Sequence, residues 1–94
     1  MYNTVELVKF TGLSATPASF TLRGGQYGVT THATAWGSMT LQRLAADGAS
    51  WVTCFTLMTS DTFQSLSLPS GTYQMALSGV TGGCFDITSI VTAM

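Results

Sequence analysis

The sequence predicts a single-domain, all-β protein with a jelly-roll-like β-sandwich fold, built from 94 residues. Three observations support this prediction. Apolar and polar residues alternate with a period of two over several short stretches, as is typical of half-buried strands. Glycine-containing turn signals separate these stretches at regular spacing. No segment carries an apolar stripe of helical period, and the one candidate, residues 41–46, is interrupted by Asp47 and Gly48.

The N-terminal part of the chain has the weakest strand pattern. Residues 1–10 carry apolar side chains that would suit either a first strand or an arm that docks on a neighbouring subunit. Residues 12–19 have the composition of a loop. We therefore divide the chain into an N-terminal segment, residues 1–19, and a β-sandwich domain, residues 20–94.

The strand predicted first within the sandwich domain covers residues 27–36. Its odd-numbered residues form one face, which begins with the apolar Tyr27 and Val29. Residues 46–50 then read as a turn because an Asp-Gly pair tolerates positive φ. Residues 69–71, Pro-Ser-Gly, form a second turn signal. Further strands are predicted at residues 38–44, 51–57, 63–68, 72–78 and 84–91.

A two-fold internal repeat is visible in the sequence. Residues 22–29 align with residues 68–75, so that a glycine turn is followed in both by a strand bearing a tyrosine, Tyr27 or Tyr73. The tyrosine ring would pack inside while its hydroxyl finds a partner at the end of the sheet. Two such units facing each other would form a sandwich, although unrelated all-β proteins also use such corners.

The inward faces of the predicted strands define an expected core of fifteen residues. Most are aliphatic or aromatic side chains at alternating positions, which a strand turns to one side of its sheet. They are Phe20, Leu22, Tyr27, Val29, Met39, Leu41, Val52, Cys54, Leu66, Leu68, Tyr73, Met75, Leu77, Phe85 and Ile87.

Charged residues make up only 7% of the chain, against about 25% in an average domain. A soluble domain ordinarily keeps its surface charged, so this composition indicates a surface that is covered by protein neighbours in use, unless a hydrated Thr/Ser surface takes the place of charge. Three scattered basic residues are too few to bind nucleic acid. Neither a membrane span nor a secretory signal is visible, which predicts synthesis in the cytoplasm and free thiols at Cys54 and Cys84.

The sequence offers no arrangement for catalysis, for a metal or for a cofactor. His32 is the only histidine, and no spacing typical of zinc ligands surrounds it. A Ser-His-Asp site would need His32 together with Asp47, Asp61 or Asp86, and no Gly-x-Ser-x-Gly motif is present. We therefore expect a protein that is not an enzyme and that binds no metal or cofactor.

The two tryptophans leave a second function open. Aromatic side chains exposed on a sheet can stack on sugar rings, so Trp36 or Trp51 could serve a carbohydrate- or receptor-binding module. Aromatic residues are also enriched in protein cores and protein–protein contacts, which is the interpretation that we prefer.

Four stretches together resemble short virion proteins encoded by tailed phages and prophages. They are residues 24–29 (Gly-Gly-Gln-Tyr-Gly-Val), 38–48, 50–53 and 68–73, and the similarity spans residues 20–91. The resemblance implies a capsid decoration (cement) protein that binds the major capsid protein on the virion surface, often as a homotrimer. For contacts with coat protein or with further copies, the residues that we expect are Val5, Leu7, Phe10, Thr30, His32, Thr34 and Trp36.

Overall fold

Two four-stranded antiparallel sheets form the protein in a computed structural model, which describes residues 7–55 and 58–90. Sheet A has the order β1-β8-β3-β6, and sheet B has the order β2-β7-β4-β5. Within the described ranges every regular element is a strand, so the predicted β-sandwich is confirmed. The strands are β1 (Leu7–Leu13), β2 (Phe20–Leu22), β3 (Gly25–Ala35), β4 (Ser38–Leu44), β5 (Trp51–Thr53), β6 (Thr62–Leu68), β7 (Gly71–Ser78) and β8 (Thr81–Ser89).

The inner faces of the two sheets enclose one apolar core. Its centre is aromatic: the ring of Phe85 stacks on that of Phe10 with a centroid separation of 5.2 Å, and it lies 6.0 Å from the ring of Phe20. Thr31 is the buried polar member, and its hydroxyl donates to the carbonyl oxygen of Thr62 and to the sulfur of Met58. Such partners offset the cost of burying a hydroxyl group.

Thirteen of the fifteen predicted core residues are buried or packed against the core. Val52 and Cys54 are exceptions: Val52 is 55% exposed, and Cys54 is exposed as well. Both predictions are wrong because β5 is only three residues long and lies at the edge of sheet B, so its inward-turned positions extend past the core. Among the core residues that the expected core did not include are Ala33, Met58 and Val80.

The strand pairing confirms the two-fold repeat. Tyr27 and Tyr73 are 46 positions apart, and this offset converts the order β1-β8-β3-β6 into β5-β4-β7-β2. The register follows the same rule. The observed pair Leu7–Thr88 becomes the observed pair Thr53–Gln42 when 46 is added to the first residue number and subtracted from the second. The same offset likewise relates the pair Tyr27–Leu66 to Tyr73–Phe20 and the pair Tyr27–Ser89 to Tyr73–Arg43.

The two tyrosine corners meet at one end of the sandwich. The hydroxyl of Tyr27 accepts a hydrogen bond from the backbone N–H of Gly24 at 3.0 Å, whereas the hydroxyl of Tyr73 donates to the carbonyl of Pro69 at 2.5 Å. Gly24 has a φ of 100°, and a Cβ there would lie 2.8 Å from the backbone nitrogen of Ser70. A glycine is therefore required where the two turns approach each other.

Several predicted boundaries differ from those observed. Leu7–Leu13 forms β1 and pairs with β8, so this part of the N-terminal segment belongs to the sandwich, whereas residues 1–6 lie outside the described ranges. The strand predicted at residues 51–57 ends at Thr53. Gly82 falls between the predicted strands at residues 72–78 and 84–91 but lies inside β8. Its φ is 60°, and the absence of a Cβ leaves room for the side chain of Thr34.

Candidate interaction surface

The outward side of sheet A gathers most of the residues predicted to make contacts. Directly opposed residues of an antiparallel pair point to the same side of a sheet. Thr30 lies opposite Asp86 and Phe63, and His32 lies opposite Cys84. Leu7 and Lys9 extend the same side on β1. This outer face of sheet A carries Leu7, Lys9, Gln26, Gly28, Thr30, His32, Thr34, Phe63, Ser65, Ser67, Cys84, Asp86 and Thr88.

The structure describes six of the seven predicted contact residues and separates them into three groups. Thr30, His32, Thr34 and Leu7 lie together on the outer face of sheet A. Phe10 does not, because its pairing with Phe85 turns the ring inward between the sheets, so its assignment to a contact surface was wrong. Leu7 and Phe10 were both expected to make contacts because the N-terminal segment is apolar, but they have opposite parity on β1. Trp36 is half-buried at the end of β3, and Val5 lies outside the described residues.

A carboxylate that the sequence did not single out for contacts joins two of these residues. Asp61 accepts a hydrogen bond from the indole N–H of Trp36 at 2.8 Å, and its other oxygen lies 2.8 Å from Nδ1 of His32. The hydrogen bond with His32, followed by that from Trp36, lowers the pKa of Asp61 below its ordinary value. The contact is open to solvent, since the side chains of His32 and Asp61 are 58% and 61% exposed. The cluster joins the segment before β6 to β3 and to the residue that follows it.

An exposed phenylalanine lies on this face at the sheet edge. Phe63 is 68% exposed, and its ring lies across β3, where a Cβ at Gly28 would come within 3.1 Å of it. Gly28 thus leaves room for a ring on the outside of the sheet. Leu7 is 59% exposed on the opposite edge of the same face. Isolated apolar side chains are common on solvent-exposed surfaces, but Phe63 and Leu7 lie at the two edges of one face that carries few charges.

The outward side of sheet B has a different chemistry. Gln74 donates from its side-chain amide to that of Gln42 across the two central strands at 2.7 Å. Trp51 is half-buried on the same side, opposite Leu44. Among the described positions of this outer face of sheet B none is charged, because Arg43 points inward over the ring of Tyr73. The face consists of Thr21, Ser38, Thr40, Gln42, Leu44, Trp51, Thr53, Thr72, Gln74, Ala76 and Ser78.

The two cysteines occupy different surroundings, and both are free thiols. Cys84 is half-buried on the outer face of sheet A, across from His32. Cys54 follows β5, and its thiol donates weakly to the carbonyl oxygen of Leu41 at 3.5 Å. Desolvation on that side raises the pKa of the Cys54 thiol. No group of three His, Cys, Asp or Glu side chains in residues 7–55 and 58–90 is placed to hold a metal ion. A helix able to cross a membrane is also absent from those ranges.

Comparison with known proteins gives a likeness of fold. No protein-family model matches the chain, and no curated protein matches it either. Among solved structures, the chain is similar to one described under the words "Bacillus endospore appendages form a novel family of disulfide-linked pili". The TM-score is 0.51 at 11% identity, and the match covers 95% of this chain and 87% of the other. The likeness shows that the two chains share a β-sandwich architecture.

Proposed function

We propose that this chain is a structural protein of a phage virion, a capsid decoration protein that binds the major capsid protein and further copies of itself. It would be made in the host cytoplasm and would act at the capsid surface without catalysing a reaction. The outer face of sheet A, as defined above, would contact the coat. The observation that carries this proposal is the scarcity of charge on both outer faces beside exposed apolar side chains.

The scarcity of charge supports contact with protein. Only seven of the 94 side chains are Lys, Arg, Asp or Glu. A domain that stays free in water usually carries many more, since a near-neutral surface promotes association. Phe63 and Leu7 expose apolar area at both edges of sheet A, and burying such area against a neighbour is favourable by about 25 cal/mol for each Å².

The fold supports a role in an assembly. The structural neighbour is described as forming pili, which are assemblies of many copies, so this architecture is compatible with repeated packing. On a capsid, many modest contacts add through effective concentration, and each single contact can be weak. The family resemblance of residues 20–91 points to the same kind of role.

Binding to capsids tests the proposal directly. Capsids of the encoding phage are prepared without this protein and mixed with the purified chain. The bound copies are counted after sedimentation. Thr30→Glu places a charge at the centre of the outer face of sheet A and should weaken binding at least about tenfold, because a buried unpaired carboxylate is costly. Thr53→Glu makes the same change on the outer face of sheet B and serves as the control. Absence of binding by the wild-type chain would refute the proposal.

The outer face of sheet B supports the second candidate, a carbohydrate-binding module of a tail fibre. Trp51 lies on this side with its ring partly exposed, and the Gln42–Gln74 pair offers amide donors and acceptors beside it. Rings stack on sugars, and amides bind their hydroxyl groups. Trp36 is a poorer candidate because its indole N–H is bonded to Asp61. Glycan-array binding that is lost in Trp51→Ala and kept in Trp36→Ala would favour this function over capsid binding.

A further inference from the structure

The outer edge of β6 has the geometry of an open strand. In an antiparallel strand, successive residues turn their N–H and C=O groups to alternate sides. The N–H of Ile90 donates to the carbonyl of Gln26, so even-numbered residues of β3 face β8 and odd-numbered ones face β6. The register of β3 with β6 then leaves the backbone groups of three residues turned away from the sheet: Phe63, Ser65 and Ser67.

The other three edges of the sandwich are shorter or protected. Strands β2 and β5 have three residues each. Strand β1 carries Lys9, and its register shifts between Phe10 and Leu13. Charges and irregularities of this kind are how soluble proteins discourage strand pairing. Strand β6 has seven residues, Thr-Phe-Gln-Ser-Leu-Ser-Leu, and it contains no charged residue, proline or glycine. It is therefore the longest unprotected edge in the part of the chain that the structure describes.

We propose that this edge pairs with the same edge of a second copy of the chain. The two β6 strands run antiparallel about a two-fold axis at Ser65, and the two copies of sheet A become one continuous eight-stranded sheet. The proposal deepens the self-association included in the proposed function but does not require a capsid. A two-fold axis relates two copies, so this arrangement is a dimer in place of the homotrimer that the family resemblance implies.

The sequence of β6 is self-complementary in this register. Phe63 lies opposite Ser67 of the second copy, and Ser65 lies opposite Ser65 of the second copy, so each exposed ring faces a small side chain. No like charges meet, because the strand has none. Each copy offers three N–H and three C=O groups, which form up to about six hydrogen bonds across the axis. The side-chain amide of Gln64 already donates to the carbonyl of Ser65 at 3.2 Å, and a carbonyl oxygen can accept a second bond.

A second copy suits this edge better than a charged or membrane partner. The edge is neutral, so it offers no attraction to an acidic or basic peptide beyond backbone hydrogen bonds. Symmetric pairing of identical patches is also the commonest route to a homo-oligomer. Pairing places Ser67 of the second copy beside Phe63, which is 68% exposed in one copy.

Charge placed on the axis tests the pairing. Sedimentation velocity and light scattering on the full chain should give a mass of two copies that dissociates on dilution. Ser65→Lys brings two ammonium groups together at the axis and should weaken dimerisation by roughly tenfold, less at high salt. Ser65→Glu should do the same with two carboxylates. An equimolar mixture of the two variants pairs opposite charges and should restore dimers that contain one chain of each.

The internal repeat supplies the control. Thr21 on β2 is the two-fold equivalent of Ser67 on β6, so Thr21→Lys puts the same charge on an equivalent but shorter edge strand and should leave the dimer unchanged. Circular dichroism and urea unfolding show that each variant is folded. A wild-type chain that stays monomeric, a mass of three copies, full dimerisation of Ser65→Lys, or no recovery in the mixture would each overturn the proposal. A monomer that still binds capsids would refute only the pairing of the β6 strands. A dimer that does not bind capsids would refute only the proposed capsid function.

Discussion

Replacing Phe85 with alanine tests whether the aromatic cluster holds the two sheets together. Phe85 is 2% exposed and contacts rings from both sheets, Phe10 on β1 and Phe20 on β2. Truncating a buried phenylalanine costs about 3–5 kcal/mol through lost transfer free energy and the cavity that remains. The loss of two ring pairs places the expected cost in the upper part of that range, because such a pair contributes about 0.5–1.5 kcal/mol beyond the burial of its surface area. We therefore expect a loss near 4 kcal/mol in the free energy of unfolding.

The same substitution at Phe63 is the matched control. Its ring is 68% exposed, so Phe63→Ala should change the free energy of unfolding by less than about 0.5 kcal/mol. Urea unfolding followed by tryptophan fluorescence measures both variants at the lowest usable protein concentration, where self-association contributes least. At roughly 0.05–0.15 kcal/mol per residue, a domain of this size has about 5–14 kcal/mol of stability, so Phe85→Ala should remain folded without urea and unfold at a much lower urea concentration than the wild-type chain. Equal effects at Phe85 and Phe63 would refute the placement of the core.

Three further predictions concern the turns. Tyr73→Phe removes the hydrogen bond to the carbonyl of Pro69 and should cost about 1 kcal/mol in urea unfolding, and a neutral result would contradict a structural role for this corner. Gly37→Ala places a Cβ 2.0 Å from the carbonyl oxygen of Ser78, so it should lower the free energy of unfolding by about 1–3 kcal/mol. An unchanged free energy of unfolding would contradict this close approach of the two backbone segments. Asp47 accepts hydrogen bonds from the backbone of Ala49, then from the hydroxyl and backbone of Ser50, which lower its pKa to about 2. Because the folded pKa lies below the ordinary one, this stabilisation is complete above about pH 4 and is lost as the pH falls towards 2, and an NMR titration of Asp47 with a midpoint near 3.8 would refute it.

Local sequence signals predicted much of the sandwich because they act within one strand or turn. The alternation along β3 reports which residues face inward, whatever the partner strand is, so Tyr27 and Val29 were placed in the core correctly. The repeated glycine turn followed by a tyrosine predicted the two-fold relation of the sheets. Each of these signals is short in range and needs no knowledge of strand order.

The contact surface depended on information that lies between strands. Leu7 and Phe10 belong to one apolar segment, and only the register with β8 turns Leu7 outward and Phe10 into the core. Asp61 is far from His32 and Trp36 in sequence, so the cluster arises from the pairing of β3 with β6. Edge positions are likewise a property of strand order: the uncharged sequence of β6 was visible, but its place at the end of sheet A was not. Composition and periodicity therefore determined the fold class, whereas register and strand order, which set long-range neighbours, decided which side chains are presented to a partner.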